Sequence, residues 1–235
     1  NGNERADLIL SLDPSIRLTH RAANLDLQAE FGASLRTSVN DTRPNRAFPI
    51  VRSGLKSTLV DRLLFLDASA DVSQSEVDPY GLRGTEGATD NLRTNSIYRL
   101  SPRVEYEVSS RVGFTAKFDE TLTKYTGDSA ANLETRQALV RLEGRPEPLG
   151  FSLELSRFDT VYDQSDMGGW TIDGARASAD FAFDGQFIVG LLGGAERSKF
   201  VLSQHTDTVA GFRFRWAPDA RTELNSTFER RFFGN

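Results

Sequence analysis

Every second residue is apolar through runs too long for the strands of an ordinary soluble sheet, and this alternation constrains the fold more than any other feature. In residues 6–18 the even positions read Ala6, Leu8, Leu10, Leu12, Pro14, Ile16 and Leu18, against Asp7, Ile9, Ser11, Asp13, Ser15 and Arg17. After a short turn at 21–24 the pattern returns as Leu25, Leu27, Ala29, Phe31, Ala33 and Leu35, against Asp26, Gln28, Glu30, Gly32, Ser34 and Arg36. Side chains point alternately to the two faces of a strand, so each run has one apolar and one polar face. A sandwich strand runs to about 5–6 residues, whereas a tilted strand crossing a bilayer needs about 9–11. The lengths here match the second.

The paired pattern recurs along the chain. Residues 54–60 and 63–74 flank the tight turn Asp61-Arg62, and 95–104 and 111–122 flank a short connection. Residues 135–143 and 151–157 flank a turn with Pro146 and Pro148; 172–183 and 187–195 flank Asp184-Gly185-Gln186; 208–216 and 222–232 flank a Pro-Asp turn. Counted this way the chain holds about twelve strands. The connectors alternate: short turns near 22, 61, 108, 147, 185 and 219, and longer polar segments at 38–49, 75–94, 123–134, 158–171 and around 196–199. Short turns on one side and long loops on the other are the pattern of outer-membrane barrels, with the short turns periplasmic. The expected fold is therefore all-β, an antiparallel up-and-down transmembrane β-barrel integral to a bacterial outer membrane, with 1–235 as one domain. Both ends of the chain would then lie outside the cell. A barrel with both termini in the periplasm would need a further strand on each side, which makes this chain part of a larger barrel of roughly 14 or more strands.

Composition agrees with this reading and narrows the function. Mean hydropathy is -0.40, and no stretch approaches the roughly 18 apolar residues of a membrane helix. Barrel strands, apolar on one face only, escape that test. The 235 residues include no cysteine, which excludes disulfides and thiolate chemistry, and only 2 His and 1 Met, which leaves little for a transition metal. A net charge of -5 does not suggest a nucleic-acid partner. The opening residues NGNERADLIL have neither a basic nor an apolar leader region, so any secretory signal is expected upstream of them.

The two faces differ in chemistry. Aromatic residues gather near strand ends on the apolar side: Tyr98, Tyr106, Phe151, Phe158, Trp170, Phe181, Phe187, Phe200 and Trp216. Interfacial girdles use such residues. The opposite face carries both signs of charge, and thirteen of these residues are expected to line a wet lumen: Arg17, Glu30, Arg99, Arg103, Lys117, Asp119, Arg141, Glu154, Arg176, Asp180, Arg213, Arg215 and Glu229. The same charges would serve as the solvated face of a soluble sheet, with a second sheet over the apolar side. With nearly every strand long and amphipathic, lipid is the simpler cover.

Catalytic signals are weak. Ser203, His205 and Asp207 alternate along one strand, but a catalytic triad is recognised by geometry, and no nucleophile elbow is present. Acidic pairs such as Asp119/Glu120 are expected by chance among 33 acidic residues. Gly168-Gly169 and Gly193-Gly194 lack a phosphate-loop context and are expected in loops or bulges. No cofactor is implied.

Three stretches carry a family resemblance: GNERADLILSLDPSIRL near the start, LVDRLLFLDASADVSQ at 59–74, and the closing WAPDARTELNSTFERRFFGN. They resemble an outer-membrane β-barrel family associated with PEP-CTERM/exosortase exopolysaccharide loci. The resemblance implies further strands on both sides and an association with extracellular polysaccharide. It supplies no catalytic residues.

Three functions compete on these grounds. The first is a porin-like channel, with polysaccharide as its candidate cargo and outer-membrane lipid as its surroundings. The second is a structural barrel that docks envelope protein partners without conducting. An outer-membrane enzyme built on His205 is a distant third, and the chain is expected not to be an enzyme.

Overall fold

The computed structural model describes residues 9–39, 45–77, 92–126, 131–164, 168–183, 186–219 and 221–233. Most of the long connection at 75–94 lies outside these residues. Among the described residues thirteen antiparallel strands run in sequence order: β1 (Ile9–Leu12), β2 (Ser15–Ala22), β3 (Leu25–Ser38), β4 (Arg46–Val60), β5 (Leu64–Glu76), β6 (Leu92–Ser109), β7 (Val112–Tyr125), β8 (Leu133–Gly144), β9 (Leu149–Tyr162), β10 (Trp170–Ala182), β11 (Phe187–Lys199), β12 (Gln204–Asp219) and β13 (Thr222–Phe233). There is no helix among the described residues, and each strand from β4 to β12 pairs with its neighbours in sequence.

β1 and β2 are two halves of one strand. Both pair with β3 in a single register, Leu12 opposite Leu35 and Ile16 opposite Phe31. The break between them is Asp13-Pro14. Pro14 accepts from the Ala33 amide at 3.1 Å, but it has no amide of its own to return the bond. Counting the halves together gives twelve strands, the number that alternation predicts.

The strands fall into two compact units. The first comprises Asn1–Ser57, Leu66–Leu100 and Thr121–Leu133; the second comprises Thr58–Phe65, Ser101–Glu120 and Glu134–Asn235. In the first, β3 pairs along its length with β4, and Arg17, Glu30 and Arg52 stand opposite one another in one row across β2, β3 and β4. Arg17 and Glu30 form an ion pair at 3.0 Å. Farther along, the Arg93 guanidinium lies 4.5 Å from the Tyr125 ring centre.

In the second unit the register of β9 to β13 sorts side chains into rows on two faces. One face carries Leu155–Ala175–Ala195–Thr208–Phe232, then Leu153–Ala177–Gly193–Ala210–Arg230, then Phe151–Ala179–Leu191–Phe212–Phe228, then Leu149–Phe181–Val189–Phe214–Ser226. A last row, Phe187–Trp216–Leu224, closes it at the short turns. Its large apolar side chains stand open, Leu191 at 68% exposure and Leu149 at 67%. Among the described residues no second sheet covers this face, so it is not the inner face of a soluble sandwich. From Thr208 to Trp216 the strand rises roughly 27 Å, of the same order as the apolar band of about 25 Å on an outer-membrane barrel. Phe181, Phe183, Phe187 and Phe214 form a chain of ring contacts at its lower rim, with centroids 4.9, 5.8 and 6.5 Å apart in turn.

Several strands outrun the sequence expectation. β9 continues to Tyr162 and β10 begins at Trp170, so much of the loop expected at 158–171 is sheet. Residues 196–199, expected in a loop, close β11, and only 200–203 connect it to β12, with the Phe200 amide donating to the Ser203 carbonyl at 2.8 Å. Polar cross-strand partners extend the ladders here, and apolar periodicity cannot see them. Phe158 and Trp170 differ too: register puts Phe158 on the Glu154 face, and its ring packs 5.0 Å from Trp170. Trp170 stacks in turn on Phe200 at 6.3 Å.

The two faces make different demands on substitution. Leu191→Arg, in the middle row of the apolar face, is expected to cost about 2–4 kcal/mol when folding into lipid vesicles is followed by urea titration. Ser152→Arg, one residue step away on the other face, is expected to cost far less. Equal losses would remove the distinction between the faces.

Candidate functional site

The charged face of the second unit encloses a cavity of about 1540 Å³. Alternation brings its lining together, because one face of each strand supplies every second residue. The rows read Gly150–Asp180–Gly190–Arg213–Thr227, Ser152–Ser178–Leu192–Gly211–Glu229 and Glu154–Arg176–Gly194–Val209–Arg231. Of the expected lumen residues, Arg141, Glu154, Arg176, Asp180, Arg213, Arg215 and Glu229 line this one cavity.

Its charges are engaged with one another. Arg141 donates through Nε to Glu154 at 3.0 Å, and Glu154 stands opposite Arg176. Arg176 and Arg231 both approach Glu196, at 3.7 and 3.4 Å. Arg215 pairs with Glu223 at 2.9 Å. The most enclosed pair is Arg213 with Asp180, whose carboxylate side chain is 9% exposed. Arg213 donates through Nε to Asp180 at 2.8 Å, grips the second carboxylate oxygen through Nη2, and reaches Ser178 Oγ at 3.0 Å.

That bridge spans β10 and β12 with β11 between them. Gly190 is the β11 residue opposite both partners. A Cβ built there would lie 2.0 Å from Asp180 Oδ1. Gly194 plays the same part for Arg176: its Cβ would fall 2.4 Å from the Ala175 carbonyl oxygen and 3.0 Å from Arg176 Cγ. The expectation that Gly193-Gly194 sits in a loop or bulge is therefore corrected. Both lie inside β11 in regular register, and the bare backbone at Gly194 gives an arginine room to lie flat.

The remaining expected residues lie elsewhere. Arg17 and Glu30 belong to the first unit, as described. Arg99 is exposed on β6. Arg103 pairs with Glu105 at 2.9 Å and sits 5.0 Å from the Phe65 ring centre. Lys117 pairs with Asp119 at 2.8 Å, and Ser101 donates to the same carboxylate at 2.6 Å. Alternation alone does not single out Glu196, Arg231, Gly190 or Ser178. Glu196 falls in a stretch that reads as loop, and the glycines carry no chemical signal until register sets them between charged partners.

His205 stands opposite Ser198 in the β11–β12 register. Among the described residues, no hydrogen bond joins it to Ser203 or Asp207. At the β12–β13 turn, beyond the apolar rows, Asp219 accepts from the Arg221 and Thr222 amides at 2.8 Å each. These bonds hold its carboxyl below the usual carboxylate range, the Arg221 amide contributing most.

The class defined by this fold and surface is the integral outer-membrane β-barrel. Among solved structures the chain is similar to a loop L8 deletion mutant of OmpT, an outer membrane protein of Vibrio cholerae. The identity is 8%, the match covers 98% of this chain and 95% of that one, and the TM-score is 0.50. In-vitro folded OmpT of the same organism is 7% identical over 97% of this chain and 86% of that one, with a TM-score of 0.49. At such identities the likeness is one of fold. No family model and no curated protein matches the chain.

The glycine-spanned bridge can be tested by coupling. Gly190→Ala is expected to destabilise by about 1–3 kcal/mol through overpacking against Asp180. Adding Asp180→Ala should recover part of that loss in a double-mutant cycle read by urea titration. Strict additivity would show that Gly190 does not make room for the bridge.

Proposed function

We propose that this chain forms a porin-like channel through the outer membrane, with its short turns in the periplasm. The observation that carries this is the cavity of about 1540 Å³ on the charged face, behind a sheet whose opposite face is apolar and exposed. A wide barrel whose inward face is charged holds water, and water with fixed charges of both signs passes hydrophilic solutes. In the second unit the lining comprises Arg141, Glu154, Arg176, Asp180, Arg213, Arg215 and Glu229, and Arg99 and Arg103 share strand parity with Glu105 of β6, which also lines the cavity. Two pairs that line the cavity, Arg141 with Glu154 and Arg213 with Asp180, hold its opposite charges close together across neighbouring strands.

The cargo follows from the same chemistry. Guanidiniums and carboxylates that lie flat over glycines present hydrogen-bonding groups to a passing hydroxyl-rich solute. An extended polysaccharide is the candidate that the sequence resemblance adds, with export as the direction.

The test is single-channel recording of the folded protein in planar bilayers. Discrete conductance steps are expected. Arg99→Glu combined with Arg103→Glu should shift the reversal potential toward cation selectivity, and added polysaccharide should block the steps. A folded protein, verified by heat-modifiable gel mobility, that gives no conductance would overturn the channel reading.

A further inference from the structure

The apolar rows of the second unit end abruptly. Beyond Leu155–Ala175–Ala195–Thr208, the next row on the same face reads Arg157–Asp173–Arg197–Thr206, and the one after it Asp159–Thr171–Lys199–Gln204. One register step thus separates methyl groups from charges. This boundary lies at the end of the strands away from the short turns, and it is built of sheet, since β9, β10, β11 and β12 all reach it.

The charges are not used alike. Arg157 is held by Asp159 at 2.8 Å and reaches Asp173 at 3.6 Å, and Thr171 donates to Asp159 at 2.7 Å. On neighbouring β7 and β8, Arg136 is held by Glu120 at 3.3 Å and by Glu134. These two arginines and four carboxylates form a stretch of net negative charge whose cations are all engaged. Arg197 and Lys199 differ. Arg197 donates only to the neutral Gln204 amide oxygen, at 2.9 Å, and among the described residues neither cation has a carboxylate partner. They stand two positions apart on one face of β11, with Thr206 and Gln204 opposite them on β12.

We propose that Arg197 and Lys199, with Thr206 and Gln204, form a binding site for the phosphate of a phosphorylated glycolipid in the surrounding outer leaflet. The inference rests on the membrane orientation given above. Acyl chains against Leu155, Ala175 and Ala195 put a lipid's polar head level with the next two rows. Two cations at that depth that no carboxylate contacts among the described residues complement a phosphate, Asp173 opposite Arg197 being drawn to Arg157 instead, and the adjacent hydroxyl and amide supply neutral donors. The acidic stretch on β7 to β10, which ends at Asp173 opposite Arg197, limits the site on one side.

Native mass spectrometry of the full chain released from detergent tests this, with lipopolysaccharide, its enzymatically dephosphorylated form and inorganic phosphate as probes. Lipopolysaccharide is expected to stay bound to the unmodified protein, and dephosphorylated lipid to be retained roughly tenfold less. Arg197→Gln with Lys199→Gln should lose the preference, and Arg197→Lys should keep it. Millimolar inorganic phosphate should not displace the lipid. Equal retention of the two lipids by the unmodified protein would overturn the proposal without reference to any variant. Displacement by inorganic phosphate, or an unchanged preference in the folded double variant, would overturn it as well. Conductance does not enter these readouts, so failure here is distinguishable from failure of the channel reading.

Discussion

A strand in lipid has no water to satisfy its backbone, so every amide and carbonyl must find a partner in the next strand. Once that pairing is continuous, side-chain direction is no longer free. Successive residues point to opposite faces, and a slip of one residue would exchange the faces of a whole strand. The rows from β9 to β13 show how tightly this binds the sequence. Leu155, Ala175 and Ala195 fall in line because each strand keeps its register from turn to turn. Glu154, Arg176 and Gly194 fall in line behind them for the same reason. Pro14 is instructive as an exception. It cannot donate, and it lies in β1–β2, which among the described residues pairs only with β3. There the missing amide interrupts the ladder without shifting it, since the register is the same on both sides of the break.

The charged face follows from that constraint together with the placement of glycine. Arginine side chains long enough to cross a strand need a strand with nothing standing on it. β11 provides this at Gly190 and Gly194, and the bridges from β10 to β12 and from Arg176 to Glu196 run over or beside those positions. Small residues on β11 thereby leave the cavity open while the charges knit neighbouring strands together. A larger residue at Gly190 would both fill space and separate Asp180 from Arg213. The ion-pair geometry of this face thus depends on the same two glycines.

Much of the fold is legible in the sequence because alternation reports the apolar face directly. The paired strands, the tight turn at Asp61-Arg62 and the two faces all follow from it. Arg62 does adopt a left-handed φ of 58°, and the Leu63 amide closes the turn on Val60 at 3.1 Å. What alternation cannot show lies where strands continue past the apolar rows. Asp159 and Thr171 look like loop residues in sequence, yet they bond across β9 and β10. Phe158 and Trp170 mislead in the opposite direction: aromatic character suggests the lipid face, but parity with Glu154 and Arg176 decides the matter. The site is legible to the same degree. Charged residues on the right parity can be named, but which of them meet depends on strand stagger, a quantity no single strand contains.

The two charged zones of the second unit differ in a way that bears on their roles. On the charged face Glu196 serves two arginines, and in the cavity Asp180 accepts a forked grip from a third, so opposite charges are held together by several bonds at once. In the proposed channel, fixed pairs of this kind would give a strong field across the lumen but little net potential along it, which favours neutral polar solutes over selection of one ion sign. Beyond the apolar rows the balance changes between adjacent strands, from paired arginine on β9 to cations without a carboxylate on β11, among the described residues. A mobile counter-charge in the membrane can meet those cations, because Asp173, opposite Arg197 in register, is drawn to Arg157 on its other side. The same register that balances the inner face therefore leaves the outer one asymmetric, and the asymmetry lies where a lipid head, rather than protein, is the available partner.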